Sequence, residues 1–385
     1  MKGLSRLLIA AIACGALGAA VAQEKPAPPK RTVEVVFVLD TTGSMSGLIA
    51  AAKQKVWSIA NTLASAQPAP RIRMGLVAYR DRGDAYVTRL TDLSEDLDAV
   101  YANLMRFEAN GGGDGPESVN QALHEAVTKV AWGKEPGAFR VVFLVGDCPP
   151  HMDYKDDVKY PETCKAAAAA GIVINTIQCG NQAETTPVWR EIADRAEGQS
   201  FRVEQAGGAV AAATPFDARI AELGRDLAGT RVHYGTAAER EELRERARSA
   251  DEVAAGAPAP AAASRAEFMS REAGATTLGG GKDLVADAES GKVKLGEMKA
   301  EEMPDELKVL TPEERDKYVR DMAAKRKAVQ EEIGKLSEQR QAYIKEQIEK
   351  APATQGKQSL DAAIYDCIRK QAALCGIEYK EGPVY

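Results

Sequence analysis

Residues 33–45, VEVVFVLDTTGSM, constrain this chain more than any other stretch. A run rich in β-branched residues, 33–39, ends abruptly at Asp40, and the next positions bring Thr42, Gly43 and Ser44. A run this apolar, broken only by Glu34, reads as a strand buried on both faces, the kind found in parallel sheets. Asp40, Thr42 and Ser44 alternate, so a loop turning at Gly43 can aim one carboxylate and two hydroxyls at a single point. Oxygen-only donors of this type suit Mg²⁺, with Mn²⁺ or Ca²⁺ as alternatives, and not zinc.

The pattern continues along the chain. Residues 46–66 place Leu48, Ala52, Val56, Ile59 and Leu63 at helical spacing. A second strand, RIRMGLVAYR, and a short edge strand, AYVTRL, precede the helical segment SEDLDAVYANLMRF. The glycine-rich loop NGGGDGPESV then leads into another helix, and residues 139–147, FRVVFLVGD, repeat the opening theme of an apolar strand followed by an aspartate. Two more strands, IVINTIQCG and SFRVEQ, alternate with helices to about residue 230. This alternation predicts an α/β fold, a doubly wound and mainly parallel six-stranded sheet flanked by helices, followed by a mostly helical C-terminal region. Ligands of such sheets bind at the carboxyl ends of the strands. Asp40, Asp147 and the glycine-rich loop all fall on that edge.

Residues 1–22 read as a signal peptide: Lys2 and Arg6 precede an apolar segment that ends in the small-residue pattern Ala20-Val21-Ala22. The expected location is therefore periplasmic or secreted, with a lipid anchor at Cys14 as the alternative. Residues 23–31 form a proline-rich linker, 32–230 the α/β domain, 231–265 a charged helix and an Ala/Pro linker (254–264 expected to be flexible), and 266–385 a helical region. Thr311, Pro312 and Glu314 signal a capping box ahead of a long charged helix. With 385 residues the chain has room for roughly two domains. A net charge of −6 argues against recruitment of nucleic acid, and no other run is long enough to span a membrane.

Export makes the cysteines informative. Cys164 opens a helix at the ligand edge and Cys179 closes a strand there, which leads to an expected Cys164–Cys179 disulfide, with Cys148 on the same rim as the competing partner. Cys367 and Cys375 are expected to be buried or intermolecular. His151 shares a loop with Cys148, the residue types of a thiol–imidazole dyad. Asp81, at the end of the second strand, reads as a solvated turn residue, with a place on the rim of the site as the alternative, and Arg82-Gly83-Asp84 as a hairpin turn.

Asp40-Thr41-Thr42-Gly43-Ser44-Met45, the GGGDGPESV loop and the GDCPPH segment together resemble a von Willebrand factor A domain with a metal-ion-dependent adhesion site, over about residues 32–230. Many such domains carry a threonine in the second loop; this one has Asp114, Pro116 and Glu117, similar to integrin β subunits. The resemblance implies metal ligation by Asp40, Thr42, Ser44, Glu117 and Asp147, with Asp114 either capping its loop or holding a second cation. It implies a non-enzymatic module that binds a protein partner through an Asp or Glu side chain on the metal. Two other readings stand beside it: a two-metal hydrolase acting on phosphoesters, and an envelope scaffold whose C-terminal helices are the working part.

Overall fold

The computed structural model describes residues 31–113, 115–206, 213–278, 281–350 and 360–379. The signal-peptide segment 1–22, Cys14 and Asp114 lie outside the described residues.

The apolar runs become β1 (Thr32–Asp40), β2 (Arg71–Tyr79), β4 (Phe139–Gly146), β5 (Ile172–Cys179) and β6 (Ser200–Val203), all parallel. Between β2 and β4 in sequence, β3 (Thr88–Ser94) adds antiparallel to β2 at the sheet edge. The order is β3-β2-β1-β4-β5-β6. The chain leaves β1 towards β2 on one side and returns to β4 on the other, so the topological switch falls at the carboxyl ends of β1 and β4. Every residue of β1 is buried, including Glu34, whose carboxylate is met by Arg73, by Arg140 at 3.6 Å and by Gly133 N–H at 2.9 Å.

Alternation along each strand divides the core into two layers. Val33, Val35, Phe37 and Leu39 face α1 (Ser46–Ala64) and α2 (Leu97–Met105). Val36 and Val38 face α3 (Val119–Thr128), α4 (Tyr160–Ala169) and α5 (Thr185–Arg195). The first layer is completed by α6 (Asp217–Ala228) and by helices from the C-terminal third. These follow α7 (Ala237–Gly256), which opens with the Thr236/Glu239 capping box, and are α8 (Ala259–Ser270), α9 (Glu272–Leu278), α12 (Pro312–Lys350) and α13 (Leu360–Ala372), whereas α10 (Leu284–Glu289) and α11 (Asp305–Lys308) pack outside this layer. The expected cap of α12 forms: Glu314 N–H donates to Thr311 Oγ1 at 3.3 Å, and Thr311 N–H donates to Glu314 at 2.8 Å.

The flexible linker expected at 254–264 is instead largely helix. Most of it belongs to α7 and α8, and Ala261, Ala263, Ala266, Phe268 and Met269 of α8 are buried. Its proline falls in the first helical turn, where the missing N–H costs nothing. Its alanines permit unusually close approach: a Cβ on Gly224 of α6 would stand 2.6 Å from that of Ala266. Phe268 packs on Trp57 of α1, with ring centroids 5.8 Å apart. Two buried arginines lock this layer through ion pairs. Arg265 grips both oxygens of Asp98 at 2.6 and 2.9 Å, and Arg340 reaches Asp217 at 2.8 Å and Glu267 at 3.4 Å. A smaller cluster of Val232, Leu284, Val285, Met303, Leu307 and Val319 forms beside it.

The expected Cys164–Cys179 disulfide is absent, and both thiols are free, as is that of Cys148. The reason is parity. Cys164 packs in the layer of α4 and α5, whereas Cys179 points from β5 into the opposite layer. Cys367 is buried and Cys375 partly so, both also free.

Two measurements check this packing. Asp98→Ala leaves Arg265 buried without its partner and should cost about 3–5 kcal/mol in denaturant unfolding; a loss below about 1 kcal/mol would contradict the buried pair. Alkylation of protein unfolded without reductant should modify all five described cysteines, and a linked 164/179 peptide would overturn the assignment to opposite faces.

Candidate metal centre

Three loops meet where β1 and β4 end. The first leaves β1 at Asp40, whose Oδ1 accepts hydrogen bonds from Thr42 N–H at 2.9 Å and Thr42 Oγ1 at 2.7 Å. This turn places Thr42 Oγ1 3.3 Å from Ser44 Oγ, so the two hydroxyls stand together, Thr42 buried and Ser44 exposed. The second is the glycine-rich loop, tied to the first by Gly43 N–H donating to Gly111 at 3.1 Å and Asn110 N–H donating to Thr41 at 3.1 Å. Gly111 and Gly112 have φ of +79° and +77°, a region that side-chain-bearing residues rarely adopt. A Cβ on Gly112 would sit 3.1 Å from both Glu117 Oε1 and Thr42 Cβ, so the glycine lets Glu117 approach the first loop. The third loop follows β4. Glu117 N–H donates to Pro149 at 2.9 Å, and His151 N–H donates back to Glu117 at 3.0 Å, which fixes Glu117 relative to Asp147.

The structure thus brings together Asp40, Thr42, Ser44, Glu117 and Asp147, and Asp114 lies outside the described residues. Asp40, Glu117 and Asp147 are buried, and each keeps one carboxylate oxygen (Oδ2, Oε2 and Oδ1) enclosed without a hydrogen-bond partner among the described residues. Burial pushes the Asp40 carboxyl up to about 7, with Asp147 adding to the effect and the two Thr42 bonds opposing it. Burial also pushes Glu117 up to about 9, helped by the charges of Asp40, Asp81, Asp84 and Asp147. Three carboxylates held in one dry place repel one another unless protons or a cation intervene. The donor set fits a hard divalent cation. Among the described residues no group of three His, Cys, Asp or Glu side chains is placed to hold a metal ion alone, so a bound cation would also need the hydroxyls of Thr42 and Ser44 or water held by the carboxylates.

Several supporting residues carry no signal in the sequence. Gln205, just after β6, donates from Nε2 to Asp147 Oδ2 at 2.7 Å and to the Ser44 carbonyl at 3.3 Å, bridging the first and third loops. Tyr79, directly across the ladder from Asp40, is fully buried; burial, then the charges of Asp40, Glu117 and Asp147, push its phenol well above its ordinary range. Its hydroxyl lies against Gly146, where a Cβ would collide with it and with Asp40. Asp84 of the Arg82-Gly83-Asp84 turn accepts from Gly112 N–H at 3.0 Å and Asp81 N–H at 3.1 Å, so that tripeptide staples the glycine-rich loop internally. Asp81, read as a solvated turn, is buried and accepts from Ser118 Oγ and Tyr154 Oη, both at 2.8 Å.

The thiol–imidazole dyad does not form. Cys148 Sγ turns to Gln182 at 3.4 Å, and burial followed by the Asp147 charge pushes its thiol up, away from the reactive thiolate. His151 pairs with Asp153 at 2.8 Å and stacks on Tyr154.

Residues 34–204 match the family model of the von Willebrand factor A domain. No curated protein matches the chain. Among solved structures, the chain is similar to an aerotolerance-related membrane protein from Bacteroides fragilis NCTC 9343 (16% identity, TM-score 0.32, 46% of this chain and 94% of that one). It is also similar to proximal thread matrix protein 1 from the mussel byssus (15%, 0.36, 46% and 42%) and to the SpRpn10 VWA domain (13%, 0.35, 46% and 89%). With a six-stranded, mostly parallel sheet and three polar loops at its carboxyl edge, residues 34–204 are a von Willebrand factor A domain.

Proposed function

We propose that this domain is a divalent-cation-dependent protein-binding module that captures an Asp or Glu side chain of a partner. Domains of this family are in general interaction modules without enzymatic activity. The observation that carries the metal-dependent reading is the set of enclosed, unpartnered oxygens on Asp40, Glu117 and Asp147. Mg²⁺, or Mn²⁺ or Ca²⁺, would be held by the Thr42 and Ser44 hydroxyls and by these carboxylates directly or through water. Ser44 is exposed, which leaves the outer side of the shell for a carboxylate from another protein. Asp114 is proposed as a ligand of a second cation.

The protein is proposed to be exported by residues 1–22. No described helix is long and apolar enough to cross a membrane. The C-terminal helices are built into the same core as the domain through Phe268, Ile333 and Ile364. Truncation before α8 would therefore strip the sheet, and the function is better tested with point variants in the full chain.

Two outcomes are expected. After chelation, saturating Mg²⁺ at about a hundred times Kd should add about 2.7 kcal/mol and raise Tm by roughly 3–5 °C, and Asp40→Ala should abolish the rise. An equal rise in the variant would exclude the site. The second outcome concerns pH. Asp40 and Glu117 have folded pKa values raised from 3.8 and 4.5 to about 7 and about 9, so without cation the folded chain holds protons that the unfolded chain releases. Their contribution to stability is fully present below about pH 4 and is lost as pH rises through these values. In chelator, Tm should therefore fall between about pH 5 and pH 9, less steeply in Glu117→Gln. Saturating Mg²⁺ should remove that fall, because the cation displaces the protons. A chelated profile identical in wild type and Glu117→Gln would contradict the assignment.

A further inference from the structure

We propose that Gln205 is a positioning residue that sets the cation selectivity of the metal centre, an inference that rests on the metal-dependent reading above. By holding one oxygen of Asp147, it confines that carboxylate to single-oxygen ligation and so favours a small octahedral cation, Mg²⁺ or Mn²⁺, over Ca²⁺. Gln205 belongs to a fourth loop, which follows β6 and lies apart from the three that carry the proposed ligands.

The fold makes room for this side chain. Gly180 N–H donates to the Val203 carbonyl at 3.0 Å, which carries the β5–β6 pairing up to the loop. A Cβ on Gly180 would collide with Gln205 Oε1, and a Cβ on Gly47 of α1 would stand 2.9 Å from that of Ala206, so two glycines let the segment close over the start of α1. Gln205 Nε2 then reaches Asp147 Oδ2 at 2.7 Å, the Ser44 carbonyl at 3.3 Å and Met45 Sδ at 3.8 Å. All three are acceptors, so the amide must present its NH₂ group to them and turn its oxygen towards Gly180.

A carboxylate binds a cation through both oxygens only when both are free. Asp40 Oδ1 already accepts two bonds from Thr42, and Asp147 Oδ2 accepts the one from Gln205. Each therefore offers a single oxygen, Asp40 Oδ2 and Asp147 Oδ1, and these are the two that are enclosed without a partner among the described residues. The Cys148 thiol also lies beside Asp147, but it is a weak donor and does not compete with a cation. Mg²⁺ takes about six oxygens at about 2.0–2.1 Å, keeps several waters and needs only one or two carboxylates. Ca²⁺ takes about six to eight at about 2.3–2.6 Å and draws readily on bidentate carboxylates in yielding loops. A braced shell in which two of three carboxylates can give one oxygen each suits the first cation and falls short of the second. The Thr42 bonds are internal to the first loop, whereas Gln205 is exposed, so its replacement changes the shell and leaves the core intact.

The test uses the full mature chain, chelated and then titrated separately with Mg²⁺ and Ca²⁺, with calorimetric Kd and Tm as readouts. Wild type should bind Mg²⁺ more tightly than Ca²⁺. In Gln205→Ala the ratio of the Ca²⁺ Kd to the Mg²⁺ Kd should fall by about tenfold, the scale on which groups that orient a metal ligand act. Gln205→Glu, which replaces the donor with a further carboxylate oxygen, should move the ratio further towards Ca²⁺. A ratio unchanged in both variants would overturn the proposal, as would an equal weakening of both cations in Gln205→Ala, which is what a merely structural brace would give. Equal affinity of wild type for the two cations would also overturn it. These outcomes leave the metal-dependent reading standing, whereas a wild type that responds to neither cation would overturn that reading and this proposal together.

Discussion

Burial of β1 on both faces is the constraint on which the rest depends. A strand flanked by β2 and β4 and covered by helices above and below has no solvated side, so whatever follows its last apolar residue is delivered into a dry cleft. Here that residue is Asp40. A carboxylate in such a place must be neutralised, hydrogen-bonded or coordinated. Thr42 satisfies one oxygen only, and Asp147 arrives from the neighbouring strand with the same deficit. The fold concentrates negative charge where it can least be hydrated, a conflict that the proposed hard cation would resolve.

The loops around that charge are cross-braced by backbone bonds in preference to flexible side chains. Glu117 is fastened to the third loop through its own N–H and carbonyl, and the glycine-rich loop to the first through Gly43 and Asn110. Tyr79 and Gly146 close the floor. Asp84 and Gln205 brace the outside. A donor set held this way is preorganised, which limits the ordering cost of binding. The C-terminal helices contribute indirectly, since Phe268 and the Arg265–Asp98 pair support the helices α1 and α2 that lead from and towards the site.

The mainly parallel sheet and the strand edge that gathers Asp40 and Asp147 were legible because they follow from local pattern: an apolar run needs two covered faces, and Asp40 and Asp147 mark where such runs stop. The convergence of Thr42, Ser44 and Glu117, the residues proposed as ligands, was legible from their spacing in ordered motifs. Gln205 was not, because a single glutamine after a short strand has no pattern, and its role arises only when β6 is placed beside β5. The cysteines failed for a related reason. Reading Cys164 and Cys179 as sharing a rim ignored the face each occupies, which depends on the register of β5 against the helices. The segment 254–264 misled through composition: alanine and proline suggest a linker, yet alanine is also what allows α8 to lie against Gly224, and that neighbour is distant in sequence.

The most direct test of the central claim is a crystal structure of the mature chain grown with Mn²⁺, with the metal located by its anomalous scattering. The account predicts one ion bounded by Thr42, Ser44, Asp40, Glu117 and Asp147, at about 2.0–2.3 Å from at least one hydroxyl oxygen, with the enclosed carboxylate oxygens turned towards it or its waters. Well-ordered loops with no ion there at millimolar Mn²⁺, near neutral pH, would contradict it and show that Asp40 and Glu117 are accommodated as protonated acids.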